Sequence, residues 1–327
     1  MGINYYHLAQ RAIDGHVPDT AECLELLNCP DEDMFLLLDQ VYRVRQQYFG
    51  KHVHIQVLKN AKSGNCQEDC RYCSQSSVSS AEIEHYPLIS PEILLEDALQ
   101  AARIGADRFC ISTGGRSAGI MEVDRLCEAI IRIKKETNLP LCATLGLITA
   151  SQAGQLKAAG LDRINHNLNT SRRYYPQICT THSFQDRMDT IIRCKNAGLE
   201  ICSGGIVGQG ETPEDIVDLL FALREIQPQS IPLNFLVPIS GTPFENFDTG
   251  LTPYKCLKIL SLARLINPRC ELRTAGGWEY HFRELKPLAF LAADSIFVNG
   301  YLTTPGSSIN RVSQMITDMG MECTLSN

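Results

Sequence analysis

Cys66, Cys70 and Cys73 stand within Asn65–Gln75 in the spacing C-x3-C-x2-C, and no fourth cysteine follows nearby. A cubane iron–sulfur cluster is normally held by four thiolates. Three close thiolates leave one iron open to a small molecule, which points to chemistry at the cluster rather than electron storage alone. Zinc fits this loop poorly. A structural zinc site takes four ligands, usually as paired C-x2-C units or with histidines at set spacing, and the nearest downstream histidine is His85. Three unrelated packing cysteines fit worse, because Ser63, Gly64, Asn65, Gln67, Glu68 and Asp69 make the loop polar.

Such a loop needs a frame to hold it. Residues 1–50 read as helical, with Leu24, Leu26, Leu27, Phe35 to Leu38, Val41 and Val44 near helical spacing. From His52 onward, short β-prone runs alternate with longer helical ones. Strands are predicted at Val53–Leu58, Arg108–Ser112, Leu141–Leu145, Arg163–Asn167, Glu200–Gly204, Pro232–Leu236, Glu271–Ala275 and Ser295–Asn299. Ser90-Pro91, Thr212-Pro213 and Thr252-Pro253 each pair a capping hydroxyl with proline at the first helical position, where a backbone N–H would be unpaired anyway. Ala159-Gly160 and Ala197-Gly198 read as helix ends running into strands. Eight alternating units predict an α/β fold, a TIM-type (β/α)8 parallel barrel with an N-terminal helical extension and active residues at the C-terminal strand ends. A doubly wound open sheet is the alternative. The chain divides into an extension over 1–50, a barrel over 51–310 and a C-terminal helix and tail over 311–327.

In that frame the triplet follows the first strand and sits at the barrel mouth. Cys110, Cys142 and Cys202 lie in the second, third and fifth predicted strands and Arg273 in the seventh. Because strand side chains alternate faces, such thiols can converge in the lumen. Each of them alone also suits a small core position. Cys23, Cys29, Cys127, Cys179, Cys194, Cys256, Cys270 and Cys323 read as packing or surface thiols. The glycines from Gly204 to Gly210 do not match the dinucleotide spacing, and permit close backbone approach instead.

The 327 residues are 44% hydrophobic and 20% charged, enough to bury a large core. The net charge of −7 and the lack of any basic block argue against a nucleic-acid partner. Met1–Gly15 has no apolar secretory core, and the apolar stretches near the C-terminus are interrupted by Lys286 and Asp294, which argues against a membrane. The expectation is a cytoplasmic protein, where the fourteen cysteines are better read as metal ligands and packing thiols than as disulfides.

The triplet with Tyr72 before its last cysteine resembles the radical S-adenosylmethionine superfamily. Asn165-His-Asn-Leu-Asn-Thr-Ser171, Cys202-Ser-Gly-Gly-Ile-Val-Gly208, Ile231-Pro-Leu-Asn-Phe-Leu236, Arg273-Thr-Ala-Gly-Gly277 and Leu302-Thr-Thr-Pro305 narrow the resemblance to the biotin synthase family, in order from about residue 50 to 310. That resemblance implies radical insertion of sulfur into dethiobiotin. Cys66, Cys70 and Cys73 would hold a [4Fe–4S] cluster whose open iron is chelated by S-adenosylmethionine. One-electron cleavage would release a 5′-deoxyadenosyl radical that takes hydrogen from two saturated carbons in turn. Acid–base groups supply roughly 10²–10⁴-fold, far too little for such C–H bonds.

The resemblance also implies an auxiliary cluster as sulfur donor, usually [2Fe–2S], on Cys110, Cys142, Cys202 and Arg273. Arginine is an unusual ligand, since a guanidinium has no lone pair to give. Tyr72, Asn167, Asn169 and Arg187 would contact the cofactor, Asn167 and Asn234 the ureido ring of dethiobiotin, and Thr303 and Thr304 its carboxylate. A homodimer reduced by flavodoxin or ferredoxin is implied. Many relatives carry arginine where this chain has Trp278, which puts the charge balance near the auxiliary site in question; the lone tryptophan suits a packing position equally. A hydrogenase-maturase-like or amino-acid-mutase-like radical enzyme is the runner-up. Thiols in strands two, three and five argue against it.

Overall fold

The computed structural model describes residues 3–298, 300 and 307–324. Three helices open it: α1 (Tyr5–Ile13), α2 (Thr20–Leu27) and α3 (Met34–Phe49). Asp19 caps α2 with a reciprocal bond from Glu22, so the turn is set locally. Then come the strands β1 (His54–Lys62), β2 (Arg108–Thr113), β3 (Leu141–Thr144), β4 (Arg163–Asn165), β5 (Glu200–Cys202), β6 (Gly205–Val207), β7 (Ser230–Phe235), β8 (Glu271–Thr274) and β9 (Ser295–Val298). The helices α4 (Pro91–Arg103), α5 (Ile120–Glu136), α6 (Ala150–Ala159), α7 (Phe184–Asn196), α8 (Pro213–Ile226) and α9 (Pro253–Ile266) alternate with them, and α10 (Trp278–His281) and α11 (Ile309–Asp318) follow β8 and β9.

All strand pairings are parallel, in the order β5-β4-β3-β2-β1-β9-β8-β7-β6, and Cys202 on β5 pairs with Ser230 on β7 to close the ring. An open sheet is thereby excluded. The eight positions of a TIM-type barrel are filled, because β5 and β6 are successive pieces of one strand. The expected single strand over 200–204 breaks at Ser203-Gly204. A Cβ on Gly204 would lie 1.8 Å from the Pro232 carbonyl oxygen, a contact only glycine permits. The first strand runs to Lys62, beyond the expected end at Leu58, with a register shift between Asn60 and Lys62.

The predicted helix starts hold. Ser90, Thr212 and Thr252 accept backbone N–H bonds at the heads of α4, α8 and α9, each followed by proline. Gly160 ends α6 at φ 104°, and Gly198 follows α7 at φ 80°. The N-terminal helices are tied to the strand-start end of the barrel by Arg45 of α3, whose Nε donates to the Ala293 carbonyl at 3.2 Å and Nη2 to that of His52 at 2.8 Å. No described helix is long and apolar enough to cross a membrane.

Candidate active site

A cavity of about 310 Å³ opens at the C-terminal ends of the strands. Cys66, Cys70 and Cys73 line it from the loop after β1, and Cys110, Cys142, Cys202 and Arg273 line it from inside the strands. Tyr72, Asn167, Asn169, Arg187 and Asn234 line the same cavity. Thr303 and Thr304 lie outside the described residues.

The triplet loop is shaped by its own acidic residues. Asp69 accepts from the backbone of Thr180 at 2.9 Å and of Thr181 at 3.1 Å. Buried Glu68 accepts from Arg116 at 2.7 Å and Thr181 at 2.6 Å, and contacts His182. The carboxylates therefore hold the loop to the segment after β4, leaving the cysteines to face the cavity.

Cys110, Cys142 and Cys202 form a separate buried cluster, with Leu58 and Phe297 packed against it. They come from sites up to 92 residues apart in the chain, and the barrel register brings them together, Cys110 lying opposite Cys142 and Asn165 opposite Cys202. Hydrogen bonding from Cys142 pulls the Cys110 thiol below its ordinary value, and the same bond pushes Cys142 up to about 12. Arg273 Nη1 stands 3.8 Å from Cys202 Sγ, while Nη2 is held by Ser230 at 3.0 Å and Glu271 at 2.5 Å. Burial opposes its charge, but Glu271 and the thiols hold the guanidinium above its ordinary pKa.

Glu271 was not anticipated from the sequence. It forms the floor under the thiols, bridging Arg273 and Arg163, the latter at 2.9 Å, and accepting from Gln56 at 2.5 Å. Burial would raise its carboxyl, but Arg273 and Arg163 outweigh burial and hold it well below the usual carboxylate range. A depressed folded pKa stabilises the fold above the unfolded value and loses that stability as pH falls through the folded one. The melting temperature should therefore drop steeply below about pH 4.3. In Glu271→Gln it should start lower and lack that part of the slope, as thermal unfolding followed across pH will show.

Asn169 sits at φ 70°, a left-handed backbone that asparagine tolerates, and its Nδ2 donates to Tyr72 Oη at 2.6 Å. Arg187 bonds Tyr175 Oη through Nε, the Asn167 carbonyl at 2.9 Å and His182 Nε2 at 3.0 Å. Asn167 Oδ1 accepts from Asn165 at 3.2 Å and from the Gly204 amide at 3.1 Å. Asn234 bridges the Gly205 carbonyl at 3.0 Å and the Gly276 amide at 2.9 Å.

One open reading is decided and one expectation fails. Trp278 turns into the core against Phe290, ring centres 6.3 Å apart, and is not part of the cavity wall. It packs, and adds no charge to the thiol site. Cys179 is not a plain packing thiol. Its Sγ lies 3.7 Å from Cys70 Sγ and 3.2 Å from His182 Nδ1, and the bond with Cys70 lowers its pKa to about 5. The Cys-x2-His spacing of Cys179 and His182 was the signal available. Its partner lies 109 residues away, so sequence proximity to the triplet could not find it.

The radical SAM superfamily model matches residues 61–223, and the biotin and thiamin synthesis associated domain model matches residues 232–322. A biotin synthase of Halalkalibacterium halodurans is 45% identical over 98% of this chain and 96% of its own length. One of Bacillus subtilis is 44% identical over 97% and 95%. Among solved structures, methylornithine synthase superposes with a TM-score of 0.86 at 20% identity over 97% of each chain. The FeFe-hydrogenase maturase HydG from Carboxydothermus hydrogenoformans gives 0.82 at 17%, over 99% of this chain and 80% of that one. Both structural likenesses establish a shared barrel and no more.

Proposed function

The chain belongs to the biotin synthase family of the radical S-adenosylmethionine superfamily, and from that membership we propose that its cavity inserts sulfur into dethiobiotin, the two iron–sulfur sites being divided between mouth and interior. The observation that carries this reading is that the triplet, the three strand thiols and the three asparagines all line one cavity.

The residues fit the groups assigned to them. Cys66, Cys70 and Cys73 present three thiols and no adjacent fourth: Cys179 is too close to Cys70 to reach a different corner of a cubane. Three thiols with Arg273 form the inner set, for which we propose a [2Fe–2S] cluster. Bound there, S-adenosylmethionine and the outer cluster supply a carbon-centred radical able to take hydrogen from unactivated carbon, and the inner cluster supplies sulfide.

The chain's own part is to bind, orient and exclude water. An amide side chain has two donors and two acceptor lone pairs. Asn234 uses one of each on Gly276 and Gly205, so one N–H and one lone pair remain, the complement of a ureido C=O and N–H. Asn167 spends its oxygen on Asn165 and Gly204 and keeps Nδ2 to donate to the ureido oxygen or the nucleoside. Asn169, held by Tyr72, faces the ribose. Arg187 offers its charge to the methionine carboxylate. Leu58, Ile206 and Phe297 on the cavity wall deny water a place beside the reacting carbons. Thr303 and Thr304 receive the substrate carboxylate. Arg273 faces Cys202 and balances the negative charge of the inner site. In the cell, a flavodoxin or ferredoxin reduces a cytoplasmic homodimer.

The test is an anaerobic assay. Cluster-loaded, reduced protein given S-adenosylmethionine and dethiobiotin should yield biotin and 5′-deoxyadenosine by mass detection. Deoxyadenosine without biotin, with dethiobiotin untouched, would defeat the substrate assignment. Tyr72→Phe should raise the KM for S-adenosylmethionine about five- to tenfold with kcat little changed. It removes one positioning hydrogen bond of about 1 kcal/mol and no reacting group.

A further inference from the structure

Alternation at the head of β1 sets two histidines side by side. Val53 and Ile55 are fully buried, while the His52 and His54 side chains face outward and are 30% and 36% exposed. Asp107, the residue before β2, is fixed next to them. Its amide donates to the Ile55 carbonyl at 2.8 Å, its Oδ2 accepts from the Ile55 amide at 2.7 Å and its Oδ1 from Thr324 at 2.9 Å. Burial would raise its carboxyl, but bonds from His54, the Ile55 amide and Thr324 hold it below its ordinary value. A carboxylate oxygen has two acceptor positions, so Oδ1 keeps one after Thr324. These residues stand at the strand-start end of the barrel and have no part in the function above.

Both imidazoles turn a nitrogen to the same oxygen. His52 Nε2 is 3.4 Å and His54 Nδ1 3.8 Å from Asp107 Oδ1, and the three ligand atoms all lie within 4.8 Å of one another. Two ligand atoms on a tetrahedral ion with bonds of about 2.0–2.1 Å are about 3.4 Å apart. With sides of 3.4 and 3.8 Å and a third no longer than 4.8 Å, the point equidistant from the three atoms is at most about 2.4 Å from each. An inward shift of about 0.3 Å by half-exposed side chains brings all three to bonding distance. Their exposure leaves the fourth position to water. The bond with Asp107, and beyond it the charges of Glu271 and Asp294, favour positive charge at His54 against burial. A plain ion pair uses one imidazole on that oxygen and leaves the second without a purpose.

We propose that His52 Nε2, His54 Nδ1 and Asp107 Oδ1, with water in the fourth position, hold one tetrahedral divalent cation of the zinc class. Binding displaces any proton from the two coordinating ring nitrogens and involves no electron transfer. The ion clamps the head of β1 to the turn before β2. The C-terminal segment meets the same place, through the Glu322 carbonyl on the Val53 amide at 2.8 Å and Thr324 on Asp107. Nothing in this site rests on the function proposed above.

Zinc is the probe, given to the full-length chain with its cluster sites loaded so that those thiols are occupied. Histidine labelling by diethyl pyrocarbonate, read peptide by peptide, locates the ion. One equivalent of zinc should slow labelling of His52 and His54 at least about tenfold and leave the exposed His7 and His16 unchanged. Because the readout is by position, zinc held by thiols elsewhere cannot imitate it. Labelling of His52 and His54 that zinc does not slow would overturn the proposal and leave an ion pair. His52→Gln and His54→Gln should each weaken zinc binding, measured by dialysis, at least about tenfold. Both side chains face solvent, so the variants should fold, and an unchanged circular-dichroism spectrum checks this. Wild-type affinity in either variant would also overturn the proposal. Zinc-edge X-ray absorption gives a third reading: two imidazoles with oxygen support the site, and a sulfur shell sinks it. Cleavage of S-adenosylmethionine by the same chain without zinc decides the functional reading separately.

Discussion

Replacing Cys70 by alanine should abolish release of 5′-deoxyadenosine from anaerobically reconstituted, reduced protein. Changes behind a metal ligand cost 10–100-fold, and this one removes a ligand outright, so the fall should exceed about 100-fold. The visible iron–sulfur absorption should fall with it, and the thiols of the barrel interior should still take up their share of iron. The reason is geometric. The triplet lies on one loop tied by Glu68 and Asp69 to the segment after β4, so neither Cys66 nor Cys73 can shift to the corner that Cys70 leaves. Cys179 Sγ lies 3.7 Å from Cys70 Sγ, so Cys70→Ala combined with Cys179→Ser removes the one neighbouring thiol that could stand in. Deoxyadenosine release at the wild-type level in Cys70→Ala would refute the assignment of the outer site.

The second large effect separates the two sites. Cys142→Ser should leave S-adenosylmethionine cleavage within about threefold of wild type and reduce biotin to below detection. Cys142 is in contact with both Cys110 and Cys202, so its loss opens the middle of the inner set while the loop at the mouth is untouched. The two thiol sets sit on different elements, the loop after β1 and the strand interior, and share no side chain, so the two changes should behave almost independently. Labelled sulfide placed in the inner cluster should appear in biotin after one turnover of wild type. Unlabelled biotin, or biotin made by Cys142→Ser, would refute the role of sulfur donor.

Much of this was written locally in the chain. The triplet needs only a polar loop of a few residues to gather three thiols, so its spacing alone pointed to a cluster with an open iron. Proline after Ser90, Thr212 and Thr252 placed three helix starts, because capping is settled within one turn. The asparagine-rich motif after β4 and Asn234 were found through resemblance, and both line the cavity. The break at Gly204 was not foreseen. It depends on the Pro232 carbonyl of a neighbouring strand, which no window of sequence contains. Whether Trp278 packs or meets the site was open from the sequence, since only the position of Phe290 decides it.

The amino-acid sequence by itself determined the repeating β/α pattern, the loop that gathers Cys66, Cys70 and Cys73, and the family to which the chain belongs, because each rests on spacing over a few residues or on ordered motifs. Tertiary structure alone decided that Cys110, Cys142 and Cys202 share one buried cluster, that Glu271 neutralises Arg273 beneath it, and that Cys179 meets Cys70. Those contacts join residues brought together by barrel register and closure, and a parallel barrel sets its register through all its strands at once.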